Sequence, residues 1–221
     1  MKFADIAARL PRREREQARR KGEIIDAAEK LFFSRGIEQT SIDEIAEAAE
    51  FSKTTLYKYF MSKEDLFAAV VLRGLHTLAG LIESGISQNV SGFENVKSVI
   101  RAHAKFHREH PDYACLFGRY IFSGTAVSED FPEDSYRKKC MHKLRDIYEL
   151  FNSVLEQGRK DGSINPDFVS PASVVSLGTA INGVLMLTMQ LEPLYIAEFK
   201  VSYEDVMQNY LDNSLAAMKP N

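Results

Sequence analysis

The chain has 221 residues, of which 45% are hydrophobic, and its formal net charge is −3 at pH 7. This length and composition allow one or two domains with a packed core and exclude a disordered chain. There is neither an apolar run approaching the ~20 residues that cross a bilayer nor a secretion signal at the amino terminus, so we expect a cytoplasmic protein without a membrane partner. Two cysteines, Cys115 and Cys140, are too few for a disulfide framework, and we expect both to be buried thiols.

Positive charge is concentrated near the amino terminus. Residues 9–21 contain seven basic and two acidic side chains, which gives this basic segment a local charge of +5. Residues 1–63 have a net charge of +2 and the remainder has −5. A basic segment on an acidic body fits contact with nucleic acid, because lysine and arginine release counterions from phosphates. Taken alone, the run is equally consistent with a solvated helix face.

The apolar periodicity is helical nearly throughout, and no stretch has a convincing strand pattern. The first predicted helix runs from Glu23, and Gly36 ends it as a left-handed cap. Ser41 and Glu44 then form a capping box that starts a helix of about two turns. The inward-facing residues of these two helices are Ile24, Ala27, Ala28, Leu31, Phe32, Ile42, Ile45, Ala46 and Ala49.

A second short helix follows after a break at Glu50 and Phe51. Ser52 can cap it, and it extends to about residue 59. Ser62 opens a longer amphipathic helix that continues at least to residue 75. Two short helices joined by a tight turn and supported by a longer preceding helix are the helix-turn-helix arrangement.

Longer helices with larger apolar residues follow beyond Gly80. We place them at about 93–110, 113–124, 133–160, 170–191 and 202–217, separated by proline and glycine breaks that include Gly124 and Pro193. The predicted fold class is all-α. It combines an N-terminal three-helix helix-turn-helix (homeodomain-like) domain at 18–80 with a larger C-terminal helical domain at 81–221.

The second short helix presents donor-rich side chains on a small apolar anchor. Leu56 and Phe60 share one face and can hold the helix against the preceding helices. The remaining residues point outward, where lysine can donate to guanine, threonine can contact thymine and tyrosine hydroxyls can reach phosphates. Lys63 could hold a phosphate at the next helix start, as could Thr40 and Ser41. The side chains predicted to contact DNA are Thr40, Ser41, Ser52, Lys53, Thr54, Thr55, Tyr57, Lys58, Tyr59 and Lys63.

The run from about Lys21 to Val71 strongly resembles the amino-terminal DNA-binding domain of the TetR family of transcriptional regulators. It contains IIDAAEKLFFSRGIEQTSIDEIAEAAEFSKTTLYKYFMSKEDLFAAVV, which matches the family pattern almost without a gap. The resemblance implies a dimeric, all-helical regulator whose third helix enters the major groove of a double-stranded DNA operator. It also implies base contacts for Lys53, Thr54 and Lys58, and phosphate contacts for Tyr57, Tyr59, Lys63 and Thr40.

The turn departs from the family pattern, which has a glycine followed by an aliphatic residue. Here the two positions are Glu50 and Phe51. A glycine accommodates a positive φ, so we expect strain at Glu50, while Phe51 can still anchor the turn.

Residues 156–190 resemble, more weakly, the passage between the family's seventh and eighth helices. The resemblance implies a homodimer through the last two long helices and an unknown small-molecule effector bound by the carboxyl-terminal domain. Small residues suited to close helix approach are Ser176, Gly178, Thr179, Ala180 and Gly183, with burial supplied by Val175, Leu185, Leu187 and Leu211. Small residues inside a single bundle would give the same pattern.

Candidate effector contacts lie on the middle helices. Core packing is the preferred interpretation for most of the aromatic and methionine residues among them, since such residues at helical spacing usually are core. His103, His107 and His110 form a stripe that could bind a metal, but metal-free histidines are the preferred interpretation, and we predict no metal or cofactor. The candidate effector residues are His103, Phe106, His107, Tyr113, Phe117, Tyr120, Phe151, Asn182, Met186 and Met189.

These features favour a ligand-responsive repressor that binds a palindromic operator. The first alternative is a helical enzyme or carrier with an incidental helix-turn-helix, yet the chain has no HExxH, GxSxG, GxGxxG or phosphate-binding glycine loop. The second alternative is an activator, since the sign of regulation depends on where the operator lies. We therefore expect a regulator and no enzymatic activity.

Overall fold

The computed structural model describes residues 11–123 and 130–220. Within those ranges the protein is helical and contains no strand, which confirms the predicted all-α class. Arg9, in the predicted basic segment, and Gly124, a predicted helix break, lie outside the described residues. The α-helices are α1 (Arg12–Arg35), α2 (Ile42–Ala48), α3 (Lys53–Tyr57), α4 (Lys63–Gly85), α5 (Gly92–Glu109), α6 (Pro111–Phe122), α7 (Tyr136–Asp161), α8 (Pro171–Phe199) and α9 (Tyr203–Ala216), with a 3₁₀ turn at Pro166–Phe168.

Serine side chains start the helices of the amino-terminal unit as predicted. The Ser41 hydroxyl accepts the backbone N–H of Glu44, and the Glu44 carboxylate accepts the backbone N–H of Ser41, which completes the capping box of α2. Ser52 caps α3 and Ser62 caps α4 in the same way. These bonds satisfy donors that the first turn of a helix would otherwise leave unpaired. They fix where α2, α3 and α4 begin.

The turn between α2 and α3 is closed by a Schellman motif with an unusual residue. The N–H of Phe51 donates to the Ala46 carbonyl at 2.9 Å, and the N–H of Glu50 donates to the Glu47 carbonyl at 3.0 Å. This pattern needs a left-handed residue after the helix cap. Glu50 supplies it with φ of 59°, the positive φ for which the family has a glycine, and its strain stays a prediction.

The carboxyl-terminal body is built around three mutually packed helices, α4, α5 and α7. α6 lies across α4 and α1, while α8 and α9 pack on the outer side of α5. α4 belongs to both halves of the molecule, since its buried residues run from Leu66 to Ile82 in one continuous core. The predicted domain boundary at residue 80 falls inside this helix, and the boundary remains a prediction.

Three helix ends differ from the predictions. α1 begins at Arg12, eleven residues before the first predicted position, because the basic segment continues the helix. Gly36 does end α1, but with φ 81° and ψ 167°, a glycine conformation that is extended rather than left-handed helical. α8 continues through Pro193 to Phe199, so the predicted break there is wrong. Pro193 is exposed, so solvent can reach the backbone carbonyl that loses its helical partner.

Two further expectations need correction. Cys140 is buried and its thiol donates to the Ala68 carbonyl, whereas Cys115 on α6 is exposed, so the expectation of a buried thiol is wrong for Cys115. Both α4 and α8 are long and apolar enough to cross a membrane by length and composition, contrary to the expectation that no such stretch exists. A buried core helix passes the same test, and 67% of the apolar window of α4 is buried, against 33% for α8.

Candidate nucleic-acid interface

The short helix α3 is anchored by two buried side chains. Leu56 is 1% exposed and Phe60 is 3% exposed, and both belong to the core that contains Ile45. The Phe60 ring also stacks on Tyr136 with centroids 5.4 Å apart. A five-residue helix has little stability of its own, so these contacts hold α3 in place. This confirms the predicted role of Leu56 and Phe60.

Anchoring on that face leaves a donor-rich face in solvent. Lys53, Thr54, Tyr57 and Lys58 are exposed, and half of the Tyr57 side-chain surface is accessible. The ammonium of Lys53 lies 3.0 Å from the Asp43 carboxylate, and this ion pair raises the pKa of Lys53. Both partners are solvent-exposed, and such pairs are weak. Lys53 can therefore exchange Asp43 for a base or a phosphate at small cost.

Several predicted contacts serve the scaffold instead. The hydroxyls of Ser41 and Ser52 are helix caps, and that of Thr55 bonds Ser52 at 2.9 Å. Ser41 and Ser52 remain exposed, whereas Thr55 is half-buried. The half-buried Tyr59 packs against the core.

Thr40 and Lys63 are placed below the predicted contact surface. Thr40 is 2% exposed and its hydroxyl donates to the Gly36 carbonyl at 2.8 Å. The ammonium of Lys63 donates to the carbonyls of Ile37 and Thr40 at 3.0 and 3.2 Å. These carbonyls lie after the end of α1, where a cation is electrostatically favoured. Both side chains thus hold the loop before α2 in place in this structure, and the phosphate contacts at these two positions stay a prediction.

The basic segment is partly neutralised along α1. Arg19 pairs with Glu16 and Glu23, and Arg20 pairs with Glu16 at 2.8 Å. The two arginines lower the pKa of Glu16 to about 2. Arg12 and Arg13 are exposed at the start of the helix. The positive charge is therefore strongest at the amino-terminal end of α1.

Polar interactions connect the amino-terminal helices to the carboxyl-terminal body. The Tyr113 hydroxyl on α6 donates to Glu29 on α1 at 2.7 Å, and Arg73 on α4 holds the same carboxylate at 3.0 Å. The Arg119 guanidinium, also on α6, pairs with Glu38 at 3.0 Å. The buried carboxylate of Asp65 accepts the backbone N–H of Tyr136 at the start of α7 at 2.7 Å. Movement of α6 or α7 would consequently change these contacts with the helices around α3.

A cleft of about 660 Å³ lies between α6 and α8. Three predicted effector residues, His107, Met186 and Met189, contribute to its wall. The sequence prediction missed the α6 stripe of the wall, although its helical spacing in the sequence could have revealed it. The further lining residues are Pro111, Asp112, Ala114, Cys115, Gly118, Arg119, Phe122 and Gln190.

The other predicted effector residues lie elsewhere. Tyr113 faces α1, where its ring meets Phe33 edge-on at 5.1 Å. The half-buried Asn182 donates to the Gly178 carbonyl one turn earlier. The remaining predicted residues pack into the core, because burial of aromatic surface there is favourable. They are His103, Phe106, Phe117, Tyr120 and Phe151.

The histidine stripe on α5 does not converge on a metal site. His103 and His107 each direct Nδ1 to the backbone carbonyl one turn earlier, at 3.0 Å. Burial lowers the pKa of both rings, that of His103 to about 4. His110 instead packs beside Phe106 and Tyr113. In the parts of the chain described here, no three His, Cys, Asp or Glu side chains lie close enough to hold a metal ion.

The chain is similar to bacterial transcriptional regulators in sequence. A family model described as "Bacterial regulatory proteins, tetR family" matches residues 24–70. The HTH-type transcriptional regulator YhgD of Bacillus subtilis is 27% identical over 148 residues, which cover 66% of this chain and 73% of YhgD. The HTH-type transcriptional activator FasR of Mycolicibacterium smegmatis is 31% identical over 121 residues, which cover 55% of this chain and 51% of FasR.

Solved structures share the whole fold. A bacterial regulatory protein of the tetR family from Rhodococcus RHA1 superposes with a TM-score of 0.66 at 19% identity, covering 91% of this chain and 98% of its own. The fatty acid degradation regulator FadR from Bacillus halodurans gives the same TM-score at 17% identity, covering 88% and 94%. At such identities these structures establish the fold alone.

The matched sequences are transcriptional regulators, not enzymes, and this confirms the expectation of no enzymatic activity. The family model covers the segment that builds α1 to α4, including the capped helices around the exposed face of α3. Residues 24–70 therefore form a DNA-binding unit of the TetR family of bacterial transcriptional regulators, whose members bind DNA.

Proposed function

We propose that the protein is a repressor that binds a palindromic operator as a homodimer and is released from it by a small molecule. The observation that carries the proposal is the exposed face of α3, where Lys53, Thr54, Tyr57 and Lys58 stand on a helix fixed by buried Leu56. A rigid, donor-rich helix of this kind suits the major groove.

The exposed residues divide into two roles. Lysine can donate to guanine O6 and N7, and threonine can bond a base edge or pack on the thymine methyl, so Lys53, Thr54 and Lys58 are assigned to bases. Tyr57 is assigned to a phosphate, which positions the helix without reading sequence. The exposed arginines at the start of α1 add further phosphate contacts and increase the salt dependence of binding.

Dimerisation is assigned to α8, with α9 beside it. Val175, Leu187, Leu191 and Leu194 are 56%, 52%, 38% and 50% exposed, an unusual density of apolar side chains on one helix. Leu185 and Leu211, which were predicted to supply burial in the interface, lie in the core of the protomer, and Gly178 packs on Tyr148. A second protomer related by a two-fold axis and packed against α8 would cover the apolar side chains. The dimer would present two copies of α3 to half-sites about 34 Å apart or a multiple of that distance.

Release from DNA is assigned to a ligand in the cleft between α6 and α8. α6 contributes one wall of the cleft, contacts α1 through Tyr113 and contacts the loop between α1 and α2 through Arg119. A ligand that binds more tightly when α6 is displaced would shift the population toward a state in which the two α3 helices no longer match the operator. Binding to chromosomal DNA places the protein in the cytoplasm.

An activator is the second candidate. FasR, which is named an activator, is 31% identical over about half of its length. The DNA-binding surface would be the same, because the sign of regulation depends on where the operator lies relative to the promoter.

The test is selection of genomic fragments by the purified full-length protein, followed by titration of the selected fragment. Wild-type protein should prefer a palindromic fragment, with affinity that falls as salt rises. Replacing both Tyr57 and Lys58 with alanine should abolish binding, whereas replacing the exposed Lys160 on α7 should not. The helical circular dichroism spectrum should be the same in all three proteins. Absence of sequence preference in the wild type would refute the proposal.

A further inference from the structure

We propose that the cleft between α6 and α8 takes an amphipathic anion, whose carboxylate displaces Glu38 from Arg119 while its apolar chain lies against Met186 and Met189. The inference rests on the proposed function, because it names the class of molecule that releases the protein from DNA. It also assigns the release to one side chain that faces both the cleft and the DNA-binding unit.

The cleft has the size and lining of a small-molecule site. Its volume of about 660 Å³ lies within the usual range for such sites. Ala114, Phe122, Met186 and Met189 give it an apolar wall, and Phe122 is 76% exposed at the end of α6. Methionine side chains adapt to ligands of different shape. The apolar part of a ligand would therefore replace water along this wall.

Charge favours an anion at one end of the cleft. Among the lining residues in the described ranges, Arg119 is the only lysine or arginine and Asp112 is the only acid. The two residues are seven positions apart on α6, or about 10 Å along the helix axis. A carboxylate would thus be attracted to the Arg119 end and repelled from the Asp112 end.

His107 does not add a second positive charge. A backbone carbonyl can only accept, so the contact of Nδ1 with the His103 carbonyl requires the proton on Nδ1 and leaves Nε2 as an acceptor. The side chain is 1% exposed, and burial lowers its pKa, which keeps the ring neutral at pH 7. Arg119 is consequently the group that selects the charge of the ligand.

Arg119 is already engaged with the end of α1. Its guanidinium pairs with Glu38 at 3.0 Å and lies so close to Gly36 that a Cβ there would be 2.9 Å from Nη1. Glu38 is 70% exposed and Arg119 is 49% exposed, which makes the pair easy to break. A carboxylate that is partly shielded from water in the cleft would bind the guanidinium more strongly than exposed Glu38 does. Its arrival would remove a contact between α6 and the loop that leads into α2.

The experiment is isothermal titration calorimetry of the full-length protein without DNA. The probes are octanoate, dodecanoate and hexadecanoate, with dodecan-1-ol as the uncharged match. Dodecanoate should bind at least about tenfold more tightly than the alcohol, and Arg119→Gln should abolish this difference. Glu38→Gln should strengthen dodecanoate binding several-fold, because the competing carboxylate is gone. Arg101→Gln, at an exposed position on α5, is the matched control and should change neither affinity.

Two results would overturn the inference. One is the absence of binding by every carboxylate, and the other is equal binding of dodecanoate and dodecan-1-ol that Arg119→Gln leaves unchanged. Either result is distinct from failure of the proposed function, which is measured as DNA binding without any carboxylate. A protein that binds its operator but no carboxylate keeps the proposed function and loses this inference.

Discussion

Single residues in this protein show how local chemistry resolves conflicts between sequence and fold. Glu50 occupies a left-handed conformation between α2 and α3, where its φ is 59°. The Schellman bonds of Phe51 and Glu50 to the end of α2 impose that conformation, although a side chain disfavours it. The strain lies next to the exposed face of α3.

Replacing Glu50 with glycine should stabilise the protein by about 1 kcal/mol, because glycine adopts positive φ without steric cost. The measurement is the urea midpoint of the full-length chain. Glu47→Gly is the matched control, since Glu47 is exposed inside α2, and it should destabilise by about 1 kcal/mol. An equal loss of stability in both variants would mean that the conformation of Glu50 is not strained.

His103 makes stability depend on pH. Burial lowers its pKa from 6.5 to about 4, so the unfolded chain binds this proton more readily than the folded protein. The stability that His103 contributes is complete above pH 6.5 and is lost as pH falls toward 4. The full loss is of order 3 kcal/mol for this shift.

Chemical denaturation between pH 7 and 4.5 measures the effect. The free energy of unfolding should fall as the pH is lowered over this interval. His103→Leu should reduce the slope of this free energy against pH by the equivalent of up to one bound proton. His142→Gln is the matched control, because His142 is exposed, and it should keep the wild-type slope. His76 and His107 also have lowered pKa values, and together with carboxylates of lowered pKa such as Glu44 and Glu64 they contribute to the slope that remains. An unchanged slope in His103→Leu would contradict the assignment.

At the scale of helices, most starts could be predicted from the sequence because a serine side chain and the next turn form a local unit. Ser41, Ser52 and Ser62 illustrate this, since each bonds an N–H three residues later. The ends are harder to predict, and α8 shows why. Proline usually ends a helix. Pro193 lies on an exposed turn, where the backbone carbonyl that loses its hydrogen-bond donor can be hydrated, and the helix continues.

The candidate DNA-binding surface was predicted only in part, because sequence patterns reveal local contacts and not distant ones. The exposed face of α3 follows from helical spacing around Leu56 and Phe60. The inward position of Lys63 depends instead on carbonyls 23 and 26 residues away in the chain, which no local pattern reveals. The packing of Tyr113 against α1 is also a contact over a long sequence separation, 84 residues to Glu29.

The crossing of α5 and α7 requires a glycine at the first residue of α5. A Cβ on Gly92 would lie 2.0 Å from the backbone nitrogen of Gly158, so neither helix could keep its place. The N–H of Gly92 also donates to Asp161 at 2.8 Å, which ties the two helix ends together. This contact stabilises the packing of α4, α5 and α7, the three helices at the centre of the body.

Gly92→Ala should therefore destabilise the protein by about 2–3 kcal/mol through overpacking against backbone. Gly80→Ala is the matched control, because nothing lies within 4 Å of a Cβ at that helical position, and it should stabilise by about 1 kcal/mol. Thermal unfolding of the full-length chain compares the two. A small effect of Gly92→Ala would mean that α5 and α7 can separate without loss of packing.

At the scale of the whole molecule, one helix serves several roles at once. α4 contributes to the core beneath α3 and to the trio with α5 and α7, so the two halves of the chain share one hydrophobic cluster. α6 lies beside it, contacts α1 through Tyr113 and contacts Glu38 in the loop between α1 and α2 through Arg119. The body and the DNA-binding unit are therefore joined by contacts that can change together, as a ligand-controlled regulator requires.

The proposed dimer interface lies on α8. The exposed leucines of α8 occur on the less buried of the two long apolar helices, while the exposed face of α9 is polar, with Gln208, Asn209 and Asp212. An apolar stripe bordered by polar residues is typical of a homodimer interface. This arrangement makes α8 the centre of the proposed interface and α9 its rim.

Leu187→Asp should separate the proposed dimer, because two charges would be buried without partners across a two-fold axis. Sedimentation of the full-length protein should change from dimer to monomer, and affinity for a palindromic operator should fall by about a hundredfold or more as simultaneous contact with two half-sites is lost. The matched control is Val90→Asp, since Val90 is also exposed, at 42%, but lies in the loop between α4 and α5. Unfolding midpoints of both variants should stay close to the wild type when extrapolated to low protein concentration, because Leu187 is 52% exposed in the protomer. A Leu187→Asp protein that still sediments as a dimer would exclude this face of α8 as the interface.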